Sequence, residues 1–260
     1  MTMTNSKSTR RKFLKQSVAG VGAAAVAPNI FAAPGKQESK TEQVMRQNSK
    51  NVVLFQGDSI TDGGRDKRIK QPNNYEGLGR GYAFLAAAQL LGENAAKDWQ
   101  CFNRGISGNK VFQLAERWQK DCLDLEPDVV SILIGVNDFW HTLTHDYKGT
   151  VEIYENDLRT LLEHTKKVQP NVAFIIGEPF TVTGGSHVTD DWFPAFNDYR
   201  AASKRIAKDF KATFIPYQSI FDNALKKAPA DYWAPDGVHP SIAGSYLMTQ
   251  AWLRAFKKTI

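Results

Sequence analysis

One serine, one aspartate and one histidine in this 260-residue sequence have the types and the spacing of a hydrolytic site. Ser59 follows a short apolar run, which predicts that its hydroxyl lies at a strand-to-loop turn. Asp236 and His239 stand three positions apart with Gly237 between them, so one turn can present both side chains to the same cleft. Asp236 can then hold one ring nitrogen of His239 and leave the other for the serine hydroxyl. Gly-Asp-Ser alone is also a common turn sequence, so the prediction depends on the combination.

A serine nucleophile also needs donors for the negative oxygen that forms at the attacked carbonyl. Asn137 follows another apolar run and can direct its side-chain amide there. Gly108 carries no side chain, so its backbone N–H can approach a substrate closely. The backbone N–H of Ser59 is the third candidate donor. A plain turn for Gly108 and an Asx turn for Asn137 are the structural alternatives.

Strand-like and helix-like segments alternate after residue 50 and must position these groups. The strand-like runs are continuously apolar, as is typical of strands buried on both faces of a parallel sheet; they lie at 52–57, 99–103, 128–135, 172–176 and 212–216. Helical periodicity falls between and after them, at 81–91, 111–123, 151–168, 192–210 and 242–256. The pattern predicts an α/β fold with a doubly wound parallel sheet, whose ligand site lies beyond the carboxyl ends of the strands.

Four segments resemble the main sequence blocks of the SGNH (GDSL-type) hydrolase family, in the family's order. They are Gly57-Asp58-Ser59-Ile60, the segment Asn103–Gly108, Gly135-Val136-Asn137-Asp138 and Asp236-Gly237-Val238-His239. The first block has isoleucine where the family often has leucine, a small apolar change. The likeness covers residues 50–258 and implies a three-layer α/β/α, flavodoxin-like fold with a five-stranded parallel sheet, filling one catalytic domain from 51 to 260.

The resemblance also implies a role for each block. Ser59 is then the nucleophile, His239 the base and Asp236 the residue that orients the base. The backbone N–H groups of Ser59 and Gly108 and the amide of Asn137 form the oxyanion hole. The expected reaction is hydrolysis of a carboxylic ester through an acyl-enzyme, with no metal and no organic cofactor.

Aromatic residues in the loops beyond the strands suggest a substrate. Trp140, His141, Trp192 and Trp233 are predicted to contact it, because aromatic faces beside a hydrolytic site suit sugar rings; the alternative is that several of them are core or loop anchors. The favoured substrate is an O-acetylated sugar of a polysaccharide or oligosaccharide. A lipase, lysophospholipase or thioesterase of the same family is the first alternative, and a non-catalytic carbohydrate-binding protein is the second.

Residues 1–33 differ in character from the rest of the chain. Residues 9–15 read Thr-Arg-Arg-Lys-Phe-Leu-Lys, and a short apolar run from Val18 to Ala27 follows, ahead of small residues at 32–33. This order resembles a twin-arginine export signal, and the apolar run is too short for a permanent membrane span. We therefore expect export to the periplasm or the outside of the cell, with residues 34–50 as a flexible polar lead-in. A disordered basic tail is the alternative.

The charge of the chain bears on its partners. Residues 1–33 hold five Lys or Arg and no acid, so they contribute +5 of the formal charge of +6 and leave the remainder near +1. This balance gives no reason to expect a nucleic-acid partner. The expected partner is a small-molecule or polysaccharide ester, without stable membrane insertion of the mature protein.

The two cysteines are predicted to be separate buried thiols. Cys101 falls in a predicted strand and Cys122 near the end of a predicted helix, although export would permit a disulfide. No Cys/His spacing suggests a zinc site.

Overall fold

The protein is described by a computed structural model over residues 51–260. The predicted export signal and lead-in, residues 1–33 and 34–50, lie outside the described residues. Five parallel strands form one sheet in the order β2-β1-β3-β4-β5: β1 Val52–Gly57, β2 Gln100–Asn103, β3 Val129–Leu133, β4 Ala173–Gly177 and β5 Thr213–Ile215. The strand number, the parallel pairing and the flavodoxin-like order agree with the fold expected from the sequence.

The central strands are buried along their whole length. Every residue of β1 and of β3 is buried, and Val53 pairs with Val129 in a register that continues to Gly57 and Leu133. Their largely apolar sequences, interrupted only by Gln56 in β1 and Ser131 in β3, arise because helices cover both faces of the sheet. The parallel arrangement brings the carboxyl ends of β1, β2 and β3 to one edge.

Helices of very different lengths connect the strands. They are α1 Ser59–Asp62, α2 Tyr75–Leu78, α3 Tyr82–Glu93, α4 Val111–Ala115, α5 Trp118–Asp121, α6 Val136–Thr144, α7 Val151–Val168, α8 Phe196–Asp209, α9 Tyr217–Leu225, α10 Ala230–Trp233 and α11 Ile242–Thr259. Helix α3 packs against α11, and α7 packs against α8 and α4. No helix between residues 51 and 260 combines the length and the apolar character that a membrane crossing requires.

Hydroxyl caps begin the two longest helices. The side chain of Thr150 accepts the N–H of Ile153 at the start of α7, and that of Ser241 accepts the N–H of Gly244 at the start of α11. Each cap satisfies a backbone donor that has no partner inside its helix. The cap at Ser241 also ends the loop that carries Asp236 and His239.

Two predicted helices begin or end differently in the structure. The segment predicted as one helix at 111–123 divides into α4, α5 and a short 3₁₀ turn, because Arg117 leaves helical geometry (φ −118°, ψ 7°). The helix predicted from residue 192 begins instead at Phe196, after a 3₁₀ turn at Asp190–Trp192. Pro194 lies between that turn and the helix, where its missing N–H is tolerated.

Both cysteines are free and buried, as the sequence predicted. Cys101 lies in β2 and Cys122 follows α5. Burial raises the pKa of the Cys101 thiol to about 12 and also raises that of Cys122, so both remain protonated, unreactive thiols.

Candidate active site

Ser59 stands at the exit of the central strand β1. Gly57 ends the strand, and Asp58 caps α1 by accepting the N–H of Ile60 at 3.0 Å with its Oδ1. Ser59 is the first residue of that helix, so its backbone N–H has no acceptor within it. The local sequence thus leaves both the hydroxyl and the N–H of Ser59 at the edge of the sheet.

A continuous hydrogen-bonded line joins the three residues that the sequence paired. The Oγ of Ser59 lies 2.7 Å from Nε2 of His239, and Nδ1 of His239 lies 2.6 Å from Oδ2 of Asp236. The other carboxylate oxygen of Asp236 accepts the backbone N–H groups of Val238 and His239 at 2.8 and 2.7 Å. The turn between Asp236 and His239 therefore fixes the carboxylate and the imidazole together, although Ser59 lies 180 positions away in sequence.

The two ionisable groups of this line reinforce one another. Burial opposes ionisation of Asp236, but the hydrogen bonds from the side chain of His239 and from the two backbone N–H groups outweigh it and lower the pKa of Asp236. The hydrogen bond to Asp236 raises the pKa of His239, and burial opposes that rise. The imidazole is therefore more basic than a free histidine, as a residue that takes a proton from a hydroxyl requires.

Gly108 and Gly105 differ in what surrounds them. A side chain on Gly105 would collide with the backbone of Thr61 and Asp62, so that glycine is packed inside the protein. Gly108 has φ +79°, and a Cβ there would meet only Cε1 of His141, at 3.9 Å. No residue in the described range 51–260 accepts a hydrogen bond from the N–H of Gly108. Gly108 is therefore the glycine that can present its N–H to a ligand.

Asn137 occupies the first turn of α6, directly after β3. It is buried, and its Nδ2 donates to the carbonyl of Asn109 at 3.3 Å. This bond holds the amide in place and uses one of its two hydrogens, which leaves the second for a ligand. The geometry joins Asn137 to the segment that carries Gly108.

Residues that the sequence analysis missed hold that segment. The Oδ2 of Asp62 accepts the N–H of Ser107 at 3.0 Å, and the Oδ1 of Asn103 accepts the N–H of Gly105 at 2.8 Å. The guanidinium of Arg65 donates to the carbonyl of Gly105 at 2.8 Å. Asn103 stands inside a matched sequence block and Asp62 lies two residues after another, which was the available signal for their role.

Two buried carboxyl groups near the site have a raised pKa. Asp58 and Asp138 each use one oxygen to accept a backbone N–H, and the other oxygen of each is buried without a partner among the described residues. Burial raises the pKa of both to about 7. Neither residue was singled out from the sequence, because their burial depends on the packing of β1, β3 and α4.

Ser59, Gly108 and the turn from Asp236 to His239 form the cleft of the candidate site. Of the predicted substrate contacts, Trp140 and His141 lie beside these residues. Trp140 is half-buried, and its ring lies 5.5 Å from the ring of His187. His187 donates its backbone N–H to the carbonyl of Asp236 at 2.9 Å, and its Nδ1 lies 3.8 Å from Oδ2 of that residue. These contacts place an exposed histidine and a tryptophan beside the Asp236 turn. No motif pointed to His187.

The structure places Trp192, a predicted substrate contact, in the core. Its side chain is 1% exposed and packs against Phe139, Phe196 and Trp140. Its indole N–H donates to the carbonyl of His187 at 3.1 Å. Trp192 therefore supports the aromatic edge of the cleft from behind, as a core residue.

Trp233 lies in a different environment from Trp140. It lines a surface hollow with Tyr232, Ile242 and Tyr246, and its indole N–H donates to the carbonyl of Ala228 at 3.0 Å. Ser59, Asp236 and His239 do not line that hollow. The structure therefore does not bring Trp233 into contact with the residues that surround Ser59.

Across residues 51–260, no three His, Cys, Asp or Glu side chains are grouped closely enough to hold a metal ion. The polar groups at this edge of the sheet are a hydroxyl, an imidazole, carboxyls and amide donors, which suit acyl transfer.

Comparison with known proteins identifies the family. Residues 55–247 match the model of the GDSL-like lipase/acylhydrolase family. An acetylxylan esterase from Geobacillus stearothermophilus is 33% identical over 214 residues, which are 81% of this chain and 95% of that protein.

Similar solved structures point to the same family. A provisionally named GDSL-like lipase from Parabacteroides merdae superposes with a TM-score of 0.79 at 52% identity, covering 80% of this chain and 96% of the other. A variant of the Geobacillus esterase superposes with a TM-score of 0.73 at 32% identity, covering 82% and 97%. The chain is a carboxylic ester hydrolase and belongs to the GDSL-like lipase/acylhydrolase family.

Proposed function

We propose that the protein is a serine esterase that removes acetyl groups from the sugars of a polysaccharide or oligosaccharide. The observation that carries the chemical part is the unbroken line from the Ser59 hydroxyl through His239 to Asp236, with distances of 2.7 and 2.6 Å. Such a line gives a weak nucleophile its base and gives the base its orientation.

The chemistry follows from these positions. Ser59 Oγ attacks the ester carbonyl while Nε2 of His239 takes its proton. The carbonyl oxygen becomes an oxyanion, and the N–H groups of Ser59 and Gly108 and the amide of Asn137 donate to it. His239 then gives the proton to the departing alcohol, which leaves an acyl-serine. Water, deprotonated by His239, then attacks the acyl-serine. The bond between the acyl carbon and Ser59 Oγ breaks, the carboxylic acid leaves, and His239 returns the proton to Oγ and so restores the serine hydroxyl.

The Geobacillus relative supports both halves of the proposal. It is an acetylxylan esterase, and its catalytic variants carry alanine in place of a serine, an aspartate or a histidine. The aspartate and the histidine are three positions apart in that enzyme, as Asp236 and His239 are here. An aromatic edge formed by Trp140 and His187 beside the Asp236 turn also suits a sugar ring.

Activity on longer acyl chains is the second candidate, since the Parabacteroides relative carries a lipase name. The two functions differ in the preferred acyl length. Hydrolysis of nitrophenyl esters from acetyl to octanoyl, beside acetate release from acetylated xylan, separates them. A preference for acetyl with acetate release supports deacetylation, and a strong preference for octanoyl overturns it.

The nucleophile is tested by Ser59→Ala, with Ser219→Ala as the matched control because Ser219 lies exposed on α9. We expect S59A to fold and to lose ester hydrolysis, and S219A to keep it. Stoichiometric labelling of the wild type by a fluorophosphonate, absent in S59A, would mark the same oxygen. Full activity in a correctly folded S59A would reject the mechanism.

We also propose that the protein is exported through residues 1–33. Support comes from the paired arginines at 10 and 11, followed by Phe-Leu-Lys and an apolar run. The double change Arg10→Lys and Arg11→Lys should leave the protein inside the cell, as cell fractionation would show. Lys15→Arg is the control. Unchanged export of the double variant contradicts the proposal.

A further inference from the structure

A buried lysine contacts one of the cleft residues. Lys110 is 8% exposed, and its Nζ lies 3.0 Å from Nδ1 of His141. The rings of Tyr147 and Phe112 lie 5.0 and 5.6 Å from the same nitrogen. Lysine is seldom buried to this degree without a partner, so the contact with His141 is a specific feature of the site.

The chemistry of the two groups decides which nitrogen of His141 carries its proton. An ammonium group has only donors, so Nδ1 must accept, and it can accept only while it is unprotonated. The ring is then neutral, and its hydrogen resides on Nε2. Lys110 thereby turns His141 into a neutral residue with one fixed N–H donor.

The position of His141 places that donor near Gly108 and Asn137. His141 lies one helical turn after Asn137 on α6, so the two side chains share a face of the helix. Its Cε1, which is bonded to Nε2, is the atom nearest to the open side of Gly108. Within the described residues, Nε2 of His141 makes no hydrogen bond to the protein. A donor without a protein partner thus stands beside two proposed oxyanion donors.

We propose that His141, held as the Nε2–H tautomer by the positioning residue Lys110, donates a hydrogen bond to a hydroxyl group of the sugar that carries the ester. This inference rests on the proposed function. The oxyanion is the alternative acceptor, but its three lone pairs already match the N–H groups of Ser59 and Gly108 and the amide of Asn137. The Nε2–H of His141 is therefore left for the alcohol part of the substrate.

The charged groups around His141 favour this state. Besides Lys110, the ring of His145 lies 4.2 Å away, and the buried carboxyl of Asp138 interacts with Lys110. Burial first, then the charges of Lys110 and His145, lower the pKa of His141 to about 4. The ring thus remains neutral over the range in which His239 can act as a base.

The first test compares two substitutions on two substrates. His141→Gln keeps one hydrogen-bond acceptor and one donor, since the glutamine Oε1 can accept from Lys110 while its Nε2 donates. His141→Phe keeps the ring and removes both functions. The substrates are an acetylated xylo-oligosaccharide, which has free hydroxyls, and p-nitrophenyl acetate, which has none.

We expect H141F to raise the KM for the acetylated oligosaccharide about tenfold, the size of one lost hydrogen bond. The same variant should leave kcat/KM for p-nitrophenyl acetate within about threefold, and H141Q should resemble the wild type on both substrates. An equal loss on both substrates, or a loss in H141Q as large as in H141F, overturns the proposal. Circular dichroism verifies that each variant folds.

The second test follows the tautomer itself. Ring ¹⁵N spectra of the wild type should show His141 with Nε2 protonated and without titration above pH 5. In Lys110→Met the pKa of His141 should rise and the preference for one tautomer should weaken. Unchanged spectra in K110M overturn the role of Lys110.

These outcomes are separable from failure of the proposed function. A wild-type protein that hydrolyses p-nitrophenyl acetate and no acetylated sugar rejects the sugar substrate, and with it this inference. A wild-type protein inactive on both esters rejects the mechanism at Ser59. The spectra of His141 still test the pairing with Lys110 in either case.

Discussion

Two of the histidines at the cleft, His239 and His141, each have their Nδ1 held by one charged partner. In His239 that partner is the carboxylate of Asp236 at 2.6 Å, and in His141 it is the ammonium of Lys110 at 3.0 Å. The carboxylate raises the pKa of His239, whereas burial and the ammonium lower that of His141. The first ring gains affinity for a proton at Nε2, and the second keeps a proton there that it does not release.

In both rings the partner at Nδ1 sets the function at Nε2. An anionic partner makes Nε2 an acceptor that can deprotonate a hydroxyl, which is the state of a general base. A cationic partner makes Nε2 a fixed donor, which suits binding and not proton transfer. The same side chain can therefore serve two purposes in one cleft without exchanging them.

The largest expected effect comes from removing the base. His239→Gln should lower kcat for every ester by at least about 10⁴-fold, because Ser59 then has no proton acceptor. His141→Gln should leave kcat unchanged. Steady-state kinetics with p-nitrophenyl acetate measures both variants. A fall of tenfold or less in H239Q would mean that the two histidines are not distinct in the way their partners indicate.

The carboxylate that orients His239 comes next. Asp236→Asn should reduce kcat by about 10³–10⁴-fold, because an amide neither favours the required tautomer nor stabilises the imidazolium. Loss of the negative charge removes the cause that raises the pKa of His239, so the acid limb of the pH–rate profile should move to lower pH. A shift of that limb to higher pH would contradict this account of the pair.

The third prediction separates the two donors on α6. Asn137→Ala should lower kcat by about 10²–10³-fold on nitrophenyl and sugar esters alike, because an oxyanion forms with both. The loss in H141F is expected on the sugar ester alone. Asn171→Ala, an exposed change beyond α7, provides the control. If N137A affects only the sugar ester, the assignment of donors along this helix face is wrong.

The sequence was sufficient to predict the strands and those site residues that lie in short segments with a pattern of their own. Continuous apolar runs predicted all five strands, since burial on both faces removes polar residues from them. Ser59 and the Asp236–His239 turn were predicted because each follows or forms a short segment with its own signal. The rule that parallel strands end at one edge placed Ser59 there, whereas the Asp236–His239 turn follows α10 and its place beside Ser59 came from the family resemblance.

Other features depend on packing that no short segment encodes. Lys110 and His141 are 31 positions apart, and neither residue alone indicates the contact. Trp192 and Trp140 look alike in sequence, yet Phe139 and Phe196 cover the first and leave the second half-buried. The carboxyl of Asp138 is buried beside α4 because its partner is the backbone of Val111, a contact between separate elements.

The fourth prediction reverses the charge at Nδ1 of His141. In Lys110→Glu a carboxylate replaces the ammonium, so the pKa of His141 should rise, opposite in sign to its depression in the wild type. The KM for the acetylated oligosaccharide should then depend on pH, while that for p-nitrophenyl acetate should not. Ring ¹⁵N titration measures the shift directly. A pKa in K110E as low as in the wild type would show that burial alone sets it.

Two carboxyl groups, those of Asp236 and Asp138, differ in the same way as the two histidines, and the effect expected from changing Asp138 is the smallest. Asp236 is paired and has a lowered pKa, whereas Asp138 is buried with one unpartnered oxygen and has a pKa raised to about 7. An unfolded aspartate titrates near pH 4, at about 3.9. Below that pH Asp138 is neutral in both the folded and the unfolded protein, and its contribution to the free energy of unfolding is fully present. As the pH rises towards 7 that contribution is lost, because the unfolded chain releases the proton more easily than the folded protein does.

Asp138→Asn cannot ionise and should escape this loss. Its free energy of unfolding, relative to the wild type, should therefore increase between pH 5 and pH 8, by at most about 3 kcal/mol, because this window covers about two of the roughly three pKa units of the shift. Urea unfolding at the two pH values measures the difference, and Asp231→Asn on the exposed side of α10 is the control. The asparagine also brings an unpaired buried amide, so D138N can be less stable than the wild type at either pH. That cost is independent of pH, so only the change in the free-energy difference between pH 5 and pH 8 measures the effect of the ionisable carboxyl. A difference that stays the same at both pH values would mean that Asp138 ionises as easily inside the protein as in water.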